Sequence, residues 1–200
     1  MRLFNLFLKK IFDYLFAIIL FFFLVPLFII ISLLIIFIEE RPIFFTQFRA
    51  GQNGKRIKII KFRTIGVNKY NKDKVSVFCK FLRLTRIDET PQIFNVLKGE
   101  LSLVGPRPLY SKYTKLYNKK QLKRLEMKPG ITGWAQVNGD NNISWKKKFN
   151  LDIWYVENFN FLIDLKIIYL TIIFFIQNLI FFKKNKKRKI IIDEEFNGKN

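Results

Sequence analysis

The sequence predicts a helix-rich α+β chain: an N-terminal helix embedded in a membrane, a small folded central domain, and an amphipathic helix with a basic tail near the C-terminus. Three observations predict it. Residues 11–38 are apolar apart from Asp13, Tyr14 and Ser32, and a second apolar run covers Ile167–Phe182. The 120 or so residues between them carry the proline and glycine punctuation of a folded domain. Finally, 36 basic residues face only 15 acidic ones in a chain of 200, a formal charge of +21. Such an excess favours a polyanionic partner, whether nucleic acid, an acidic membrane surface or phosphorylated small molecules. The hydrophobic runs favour membrane, with phosphates close by, over nucleic acid.

The first element is too long for a simple crossing. As a straight helix residues 11–38 would measure roughly 40 Å against a hydrocarbon core of about 30 Å. Pro26 lies near its middle, where a proline removes one backbone hydrogen bond and bends the helix. Lys9 and Lys10 precede the segment, and Arg41, Arg49, Lys55, Arg56, Lys58, Lys61 and Arg63 follow it. The positive-inside rule wants both flanks in the cytoplasm. A helix that dips in, breaks at Pro26 and returns to the same face satisfies this; a signal anchor kinked at the proline is the rival reading. A cleaved signal peptide is excluded by the length of the apolar run and the lack of a small-residue cleavage site.

In the central domain, Ile57–Phe62 alternates like a short strand. Thr90-Pro91 reads as an N-cap followed by proline at the first helical position, opening a helix that closes at Gly99. A further helix is expected over Asn118–Met127, and another over Ser144–Asn158. Ile167–Phe182, at about sixteen residues, is short for a span. It is interrupted by Gln177 and Asn178, so it reads as a helix lying in the interface. The lysines and arginine at 183–189 would then gain about 1 kcal/mol per charge near anionic lipid. Residues 190–200 read as a frayed terminus. The implied organisation is 1–40, 41–166 and 167–200.

Several chemistries are excluded at once. Without histidine there is no Ser-His-Asp triad and no histidine-ligated metal. A single cysteine, Cys79, forms neither an intrachain disulfide nor a zinc cluster.

Three segments remain as candidates. Gly105-Pro106-Arg107-Pro108 presents an arginine on a backbone stiffened by two prolines, suited to bidentate phosphate recognition; it reads equally as a rigid turn. Arg83-Leu-Thr-Arg86-Ile-Asp88-Glu89-Thr-Pro91 places two carboxylates beside two arginines. The arginines are expected to lower a carboxylate's pKa by about 1–3 units and keep it ionised, able to ligate a cation or attack phosphorus. Helix capping explains the same pair more simply. The loop from Lys128 through Gly133-Trp134 to Gln136 and Gly139 combines glycines, amide donors and an aromatic plate, a cradle for a nucleotide or sugar, or a tight turn under a core tryptophan. It matches neither a P-loop nor a dinucleotide fingerprint. No Asp-x-Asp occurs in the chain.

These segments together resemble a known family, the bacterial sugar transferases of the monotopic phosphoglycosyl transferase type (polyprenyl-phosphate glycosyl-1-phosphate transferases), in their small form reduced to the catalytic unit. The resemblance runs from the first hydrophobic segment to about Leu170. It includes Phe44-Phe45, Gln47-Phe-Arg49-Ala-Gly51, Lys61-Phe-Arg63-Thr64, and Arg83 through Asp88-Glu89-Thr-Pro-Gln92. It continues with Asn95 through Gly105-Pro-Arg107-Pro108, Lys128 through Gly139, and Asp152 to Asp164.

The resemblance implies a catalytic domain on the cytoplasmic face of the inner membrane, with lipid as a partner and nucleic acid not one. It implies transfer of a sugar-1-phosphate from a UDP-sugar, N-acetylated by preference, to undecaprenyl phosphate with release of UMP. Asp88 matches the nucleophile that becomes a covalent aspartyl phospho-sugar. Glu89 matches its partner, and both match ligands of Mg²⁺. Arg83, Arg107, Lys61, Arg63 and Gln136 fall where substrate and phosphate are bound. The chain departs from the pattern at Thr90, where leucine is usual, at Asp140, where arginine is common, and at Val25, where serine is frequent. The rival class of function is a non-catalytic, basic, membrane-tethered protein that binds lipid or nucleic acid.

Overall fold

The computed structural model of the chain describes residues 2–39, 42–64, 76–139, 143–184 and 195–198. Asp140 and most of the basic cluster at 183–189 lie outside the described residues. The architecture is helix-rich, with two small two-stranded sheets.

Helix α1 runs from Arg2 to Glu39 with Pro26 inside it, so the expected break at Pro26 is not seen and the helix continues through the proline. Its buried positions, Lys9, Asp13, Ala17, Phe28, Ile31 and Ile35, form one stripe at helical spacing. That stripe extends over roughly 39 Å of helix at 1.5 Å per residue, and both ends of it pack on the central domain. Near the N-terminus, the Asp13 carboxylate accepts from Ser102 Oγ at 2.6 Å and from the Leu103 N–H at 3.2 Å. Beyond Pro26, the Phe28 ring meets Phe62 and Phe94 at 5.6 and 5.9 Å between centroids. The other faces leave Phe22, Phe23, Ile29, Ile30 and Phe37 exposed.

Strands β1 (Phe44–Ala50) and β2 (Arg56–Phe62) form an antiparallel hairpin in which Gln47 pairs with Ile59 and Phe45 with Lys61. The alternation over residues 56–59 buries Ile57 and Ile59 on one face and leaves Lys58 exposed on the other, and Phe62 is buried at the end of the strand. Helix α2 (Val77–Leu84) is capped by Ser76, whose Oγ accepts from the Cys79 N–H. A 3₁₀ turn over Ile87–Gln92 leads into the short helix α3 (Ile93–Leu97). Thr90 is therefore not an N-cap. Pro91 lies inside the 3₁₀ turn, and the Thr90 hydroxyl donates back to the Ile87 carbonyl at 2.8 Å.

Strand β3 (Ser102–Val104) runs parallel to β4 (Gly130–Thr132). Their backbones approach so closely that a Cβ on Gly130 would collide with the Gly105 nitrogen and the Thr132 carbonyl. The helix expected over 118–127 is shorter than predicted: α4 covers Lys119–Leu122, opened by a capping box between Asn118 and Gln121, and tightens to 3₁₀ over Lys123–Leu125. Helices α5 (Trp134–Val137) and α6 (Trp145–Asn158) complete the domain, the latter capped by Ser144.

Helix α7 spans Phe161–Lys184, beginning six residues before the predicted interfacial helix. Asn160 explains the earlier start, because its side-chain oxygen accepts from the Ile163 N–H at 2.9 Å. The expected boundary at 166/167 thus falls within one helix. Both α1 and α7 are long and apolar enough to cross a membrane. They are joined by a buried ion pair, Lys9 Nζ to Asp164 Oδ2 at 2.6 Å, with the Tyr155 hydroxyl donating to Asp164 Oδ1 at 2.6 Å.

The C-terminus is not wholly frayed. Phe196 is buried among Tyr113, Tyr117, Trp145 and Phe149, with ring centroids 5.0–6.0 Å away, and Lys112 pairs with Glu195 at 2.8 Å. One phenylalanine in a polar tail offers no periodicity from which to foresee this.

Candidate active site

The site forms where α2 ends. Thr85 closes the helix, and Arg86 takes a left-handed conformation with φ 61°. Glycine or asparagine usually fills that position, since a side chain there costs about 1–2 kcal/mol. Arg86 sends its guanidinium to Glu89, Nη1 lying 3.5 Å from Oε1. In the 3₁₀ turn that follows, successive side chains are about 120° apart, so Asp88 and Glu89 are neighbours with separate surroundings.

Glu89 sits in a cage of cations. Lys61 Nζ, from β2, is 2.6 Å from Oε1. Arg107, from the Gly105-Pro-Arg-Pro108 loop, approaches with Nη2 3.0 Å from Oε1 and Nη1 3.4 Å from Oε2. Both Asp88 and Glu89 are buried. Among the described residues, however, no hydrogen bond or ion pair engages the Asp88 carboxylate.

The two carboxylates titrate in opposite directions. Burial, and then the Glu89 charge, push Asp88 up from 3.8 to about 6; Lys61, Arg86 and Arg83 oppose this without cancelling it. For Glu89, burial acts upward too, but Arg107, Lys61 and Arg86 hold it well below the ordinary carboxylate range. The expectation that the arginines lower the carboxylate's pKa therefore holds for Glu89 and is reversed for Asp88. The guanidinium and ammonium groups close on the second residue of the pair, and the first is left with its burial and a negative neighbour.

Asn95 aligns this arrangement from beneath. It is fully buried, accepts from the Ile60 N–H at 3.2 Å, and donates to the Lys58 carbonyl at 2.8 Å and to Glu100 Oε2 at 2.6 Å. It thereby ties α3 to the strand that carries Lys61.

Of the residues expected at the site, Asp88, Glu89, Lys61 and Arg107 come together, and Arg83 acts on Asp88 through its charge. Arg63 follows β2, its N–H donating to the Ile43 carbonyl at 2.8 Å. Gln136 is turned away into its own loop, where Nε2 donates to the Ile131 carbonyl at 2.9 Å. Among the described residues no contact places it on the carboxylate pair, and its Oε1 is buried without a hydrogen-bond partner. Arg49 is a residue whose place sequence alone did not assign. Its guanidinium stacks 3.6 Å from the Tyr110 ring centroid, close enough to Arg107 for each to feel the other's charge.

Among the described residues there is no cluster of three or more histidine, cysteine, aspartate or glutamate side chains able to hold a metal by themselves. The pair matches in number the one or two carboxylates that Mg²⁺ commonly takes beside water and substrate phosphates, but Lys61 and Arg107 already engage Glu89.

Comparison with known proteins identifies the family. The family model described as bacterial sugar transferase matches residues 4–178. The chain is 51% identical over 138 residues to the uncharacterized sugar transferase EpsL of Bacillus subtilis, covering 66% of this chain and 68% of that one. It is 34% identical over 188 residues to the exopolysaccharide production protein ExoY of Sinorhizobium fredii, covering 82% and 83%. It is 38% identical over 165 residues to the UDP-glucose:undecaprenyl-phosphate glucose-1-phosphate transferase of Klebsiella pneumoniae, covering 74% of this chain but only 35% of that longer protein. The matching family model and these relatives define a class, the sugar transferases. The chain belongs to the bacterial sugar transferase family, as a phosphoglycosyl transferase.

Proposed function

We propose that this chain moves a sugar-1-phosphate from a UDP-sugar to undecaprenyl phosphate, releasing UMP, with Asp88 as nucleophile. The observation that carries the reading is the asymmetry of the pair: Glu89 is held by Lys61, Arg86 and Arg107, while among the described residues no hydrogen bond or ion pair engages the adjacent Asp88 carboxylate. The Klebsiella relative, a UDP-glucose:undecaprenyl-phosphate glucose-1-phosphate transferase, supports the same classes of donor and acceptor.

In this reading an Asp88 oxygen attacks the sugar-bearing phosphorus. The P–O bond to UMP breaks, UMP leaves with the bonding pair, and an acyl phosphate remains on Asp88. A phosphate oxygen of the lipid then attacks the same phosphorus, and the Asp88 carboxylate departs. A carboxylate approaching a diphosphate meets like charge, so the first demand on the site is fixed positive charge. Arg107 and Lys61 supply it from a stiff loop and a paired strand, and Arg83 adds to it. Asp88 and Glu89 are the residues that would hold Mg²⁺, which when bound neutralises phosphate charge. Burial of Asp88 keeps competing water from the acyl phosphate.

The packing of α1 supports a domain that rests at one face of the membrane. Lys9 and Asp13 before Pro26, and Phe28, Ile31 and Ile35 after it, pack against one and the same domain. A helix crossing the bilayer away from a cytoplasmic domain does not keep both halves on it, so the apolar faces of α1 and α7 are best met by a domain resting at the inner face. An N-acetylated donor is the preferred sugar, and UDP-glucose is the alternative that the Klebsiella relative favours.

The test is UMP release by the purified chain with Mg²⁺, undecaprenyl phosphate and a panel of UDP-sugars, together with mass spectrometry of enzyme given donor alone. A sugar phosphate attached at Asp88 is expected. Turnover with no adduct there, or turnover by Asp88→Asn, rejects the nucleophile. A chain that binds anionic lipid but releases no UMP from any donor fits the binding-protein class instead.

A further inference from the structure

We propose that Arg124 is a positioning residue for Arg107, holding the Pro-Arg-Pro loop so that its guanidinium meets Glu89; this rests on the reading above. Arg124 is 2% exposed and all three of its guanidinium nitrogens are engaged. Nε and Nη2 donate to Asp152 Oδ2 at 3.1 and 2.6 Å, and Nη1 donates to the Tyr117 hydroxyl at 3.3 Å. Nη2 also donates to the backbone carbonyl of Arg107 at 2.6 Å. The rings of Phe149 and Tyr117 back the guanidinium at 5.5 and 5.8 Å.

The consequence is geometric. Pro106 and Pro108 each lock φ, and between them the peptide leaving Arg107 can still rotate. The hydrogen bond from Arg124 fixes the plane of that peptide. With the plane fixed, the Arg107 side chain leaves the loop in one direction, toward Glu89 Oε1 at 3.0 Å. Asp152 on α6 in turn orients Arg124, so a line of contacts runs from α6 through the loop to the carboxylate pair.

The alternative is that Arg124 merely braces α6 against the 3₁₀ segment at 123–125. Burying such a pair is a poor way to do only that. An apolar pair of similar volume serves stability as well or better, because both charges lose their hydration. What the guanidinium adds is a donor aimed at one carbonyl.

The experiment uses the full chain in detergent or nanodiscs and compares Arg124→Met, Arg124→Lys, Arg107→Ala and the double variant Arg107→Ala/Arg124→Met. Arg124→Met is expected to lower kcat by about 100-fold, the scale of a small misplacement of a charged group, with KM for the donor little changed. Arg124→Lys, which keeps the charge opposite Asp152 and one donor, recovers part of that loss and serves alone if the methionine variant does not fold. In the Arg107→Ala background the Arg124 substitution should cost no further kcat, because its effect passes through the missing side chain. Multiplying losses, or a melting temperature lowered with kcat intact, overturns the proposal in favour of a brace. A crystal structure of the Arg124 variant gives a readout independent of turnover. Arg107 should have left Glu89, and an intact contact overturns the proposal even if the wild type releases no UMP, which would separately reject the proposed function.

Discussion

Lys9 and Asp164, 155 residues apart in sequence, meet at 2.6 Å in the interior and fasten the start of α1 to the start of α7. Asp13, one turn along α1, lies 3.7 Å from the same ammonium and reaches Ser102. The two apolar helices are thereby tied to each other and to β3. That leads directly to the Pro-Arg-Pro loop.

Removing one partner of this pair should be costly. Asp164→Ala leaves the Lys9 ammonium buried with Asp13 at 3.7 Å and the Phe159 ring for partial compensation, at a cost of about 3–5 kcal/mol. The variant should show a markedly lower melting temperature in detergent. Lys9→Met/Asp164→Leu should recover most of the loss, and equal melting of single and double variants would contradict the account.

Asp88 and Glu89 should affect stability in opposite senses when the protein is free of metal. Asp88 binds its proton more tightly in the fold than in the unfolded chain. Its contribution is complete below pH 3.8 and disappears as pH rises through about 6. The difference corresponds to roughly 1–3 kcal/mol. With EDTA present, Asp88→Asn should melt higher than wild type at pH 7 and level with it near pH 3.5. Glu89 is depressed, so its contribution is present at neutral pH and lost on acidification. Glu89→Gln should melt lower than wild type at pH 7. Thermal scans across pH 3.5–7.5 check both signs.

Arg86 carries backbone strain where a glycine would carry none. Arg86→Gly should relieve about 1 kcal/mol of it. It should also remove one cation from Glu89, so the melting temperature holds or rises while transfer falls. A variant that is destabilised yet fully active would show that the left-handed arginine serves the fold alone.

For topology, cysteines at Asn5 and Lys55 in a Cys79→Ser background are expected to be protected together from an impermeant reagent in intact cells. Labelling of Asn5→Cys with Lys55→Cys protected would make α1 a true crossing.

Much of the architecture was legible along the chain because it depends on local order. A continuous apolar run marked α1, apolar residues at helical spacing marked α6, and alternation marked β2. The candidate site was legible as a set of residue types, since a carboxylate pair, arginines and a proline-stiffened turn are short-range patterns. Hydropathy alone puts the start of α7 at Ile167, where the apolar run begins, whereas the Asn160 side chain starts the helix earlier. Thr90 misled because its hydroxyl, able to cap a helix, instead bonds back within a 3₁₀ turn.

The sequence by itself determined that two apolar helices flank a basic domain containing Asp88, Glu89 and Arg107, since composition and period need no partner to be read. Only the tertiary structure decided which carboxylate the cations close upon. Lys61 and Arg107 lie 28 residues before and 18 residues after Glu89, and the field at a buried oxygen depends on distances of a few ångströms that spacing along the chain does not encode. The burial of Arg124 beneath Arg107, of Lys9 against Asp164 and of Phe196 among four rings has the same origin: each exists only once distant segments have been packed together.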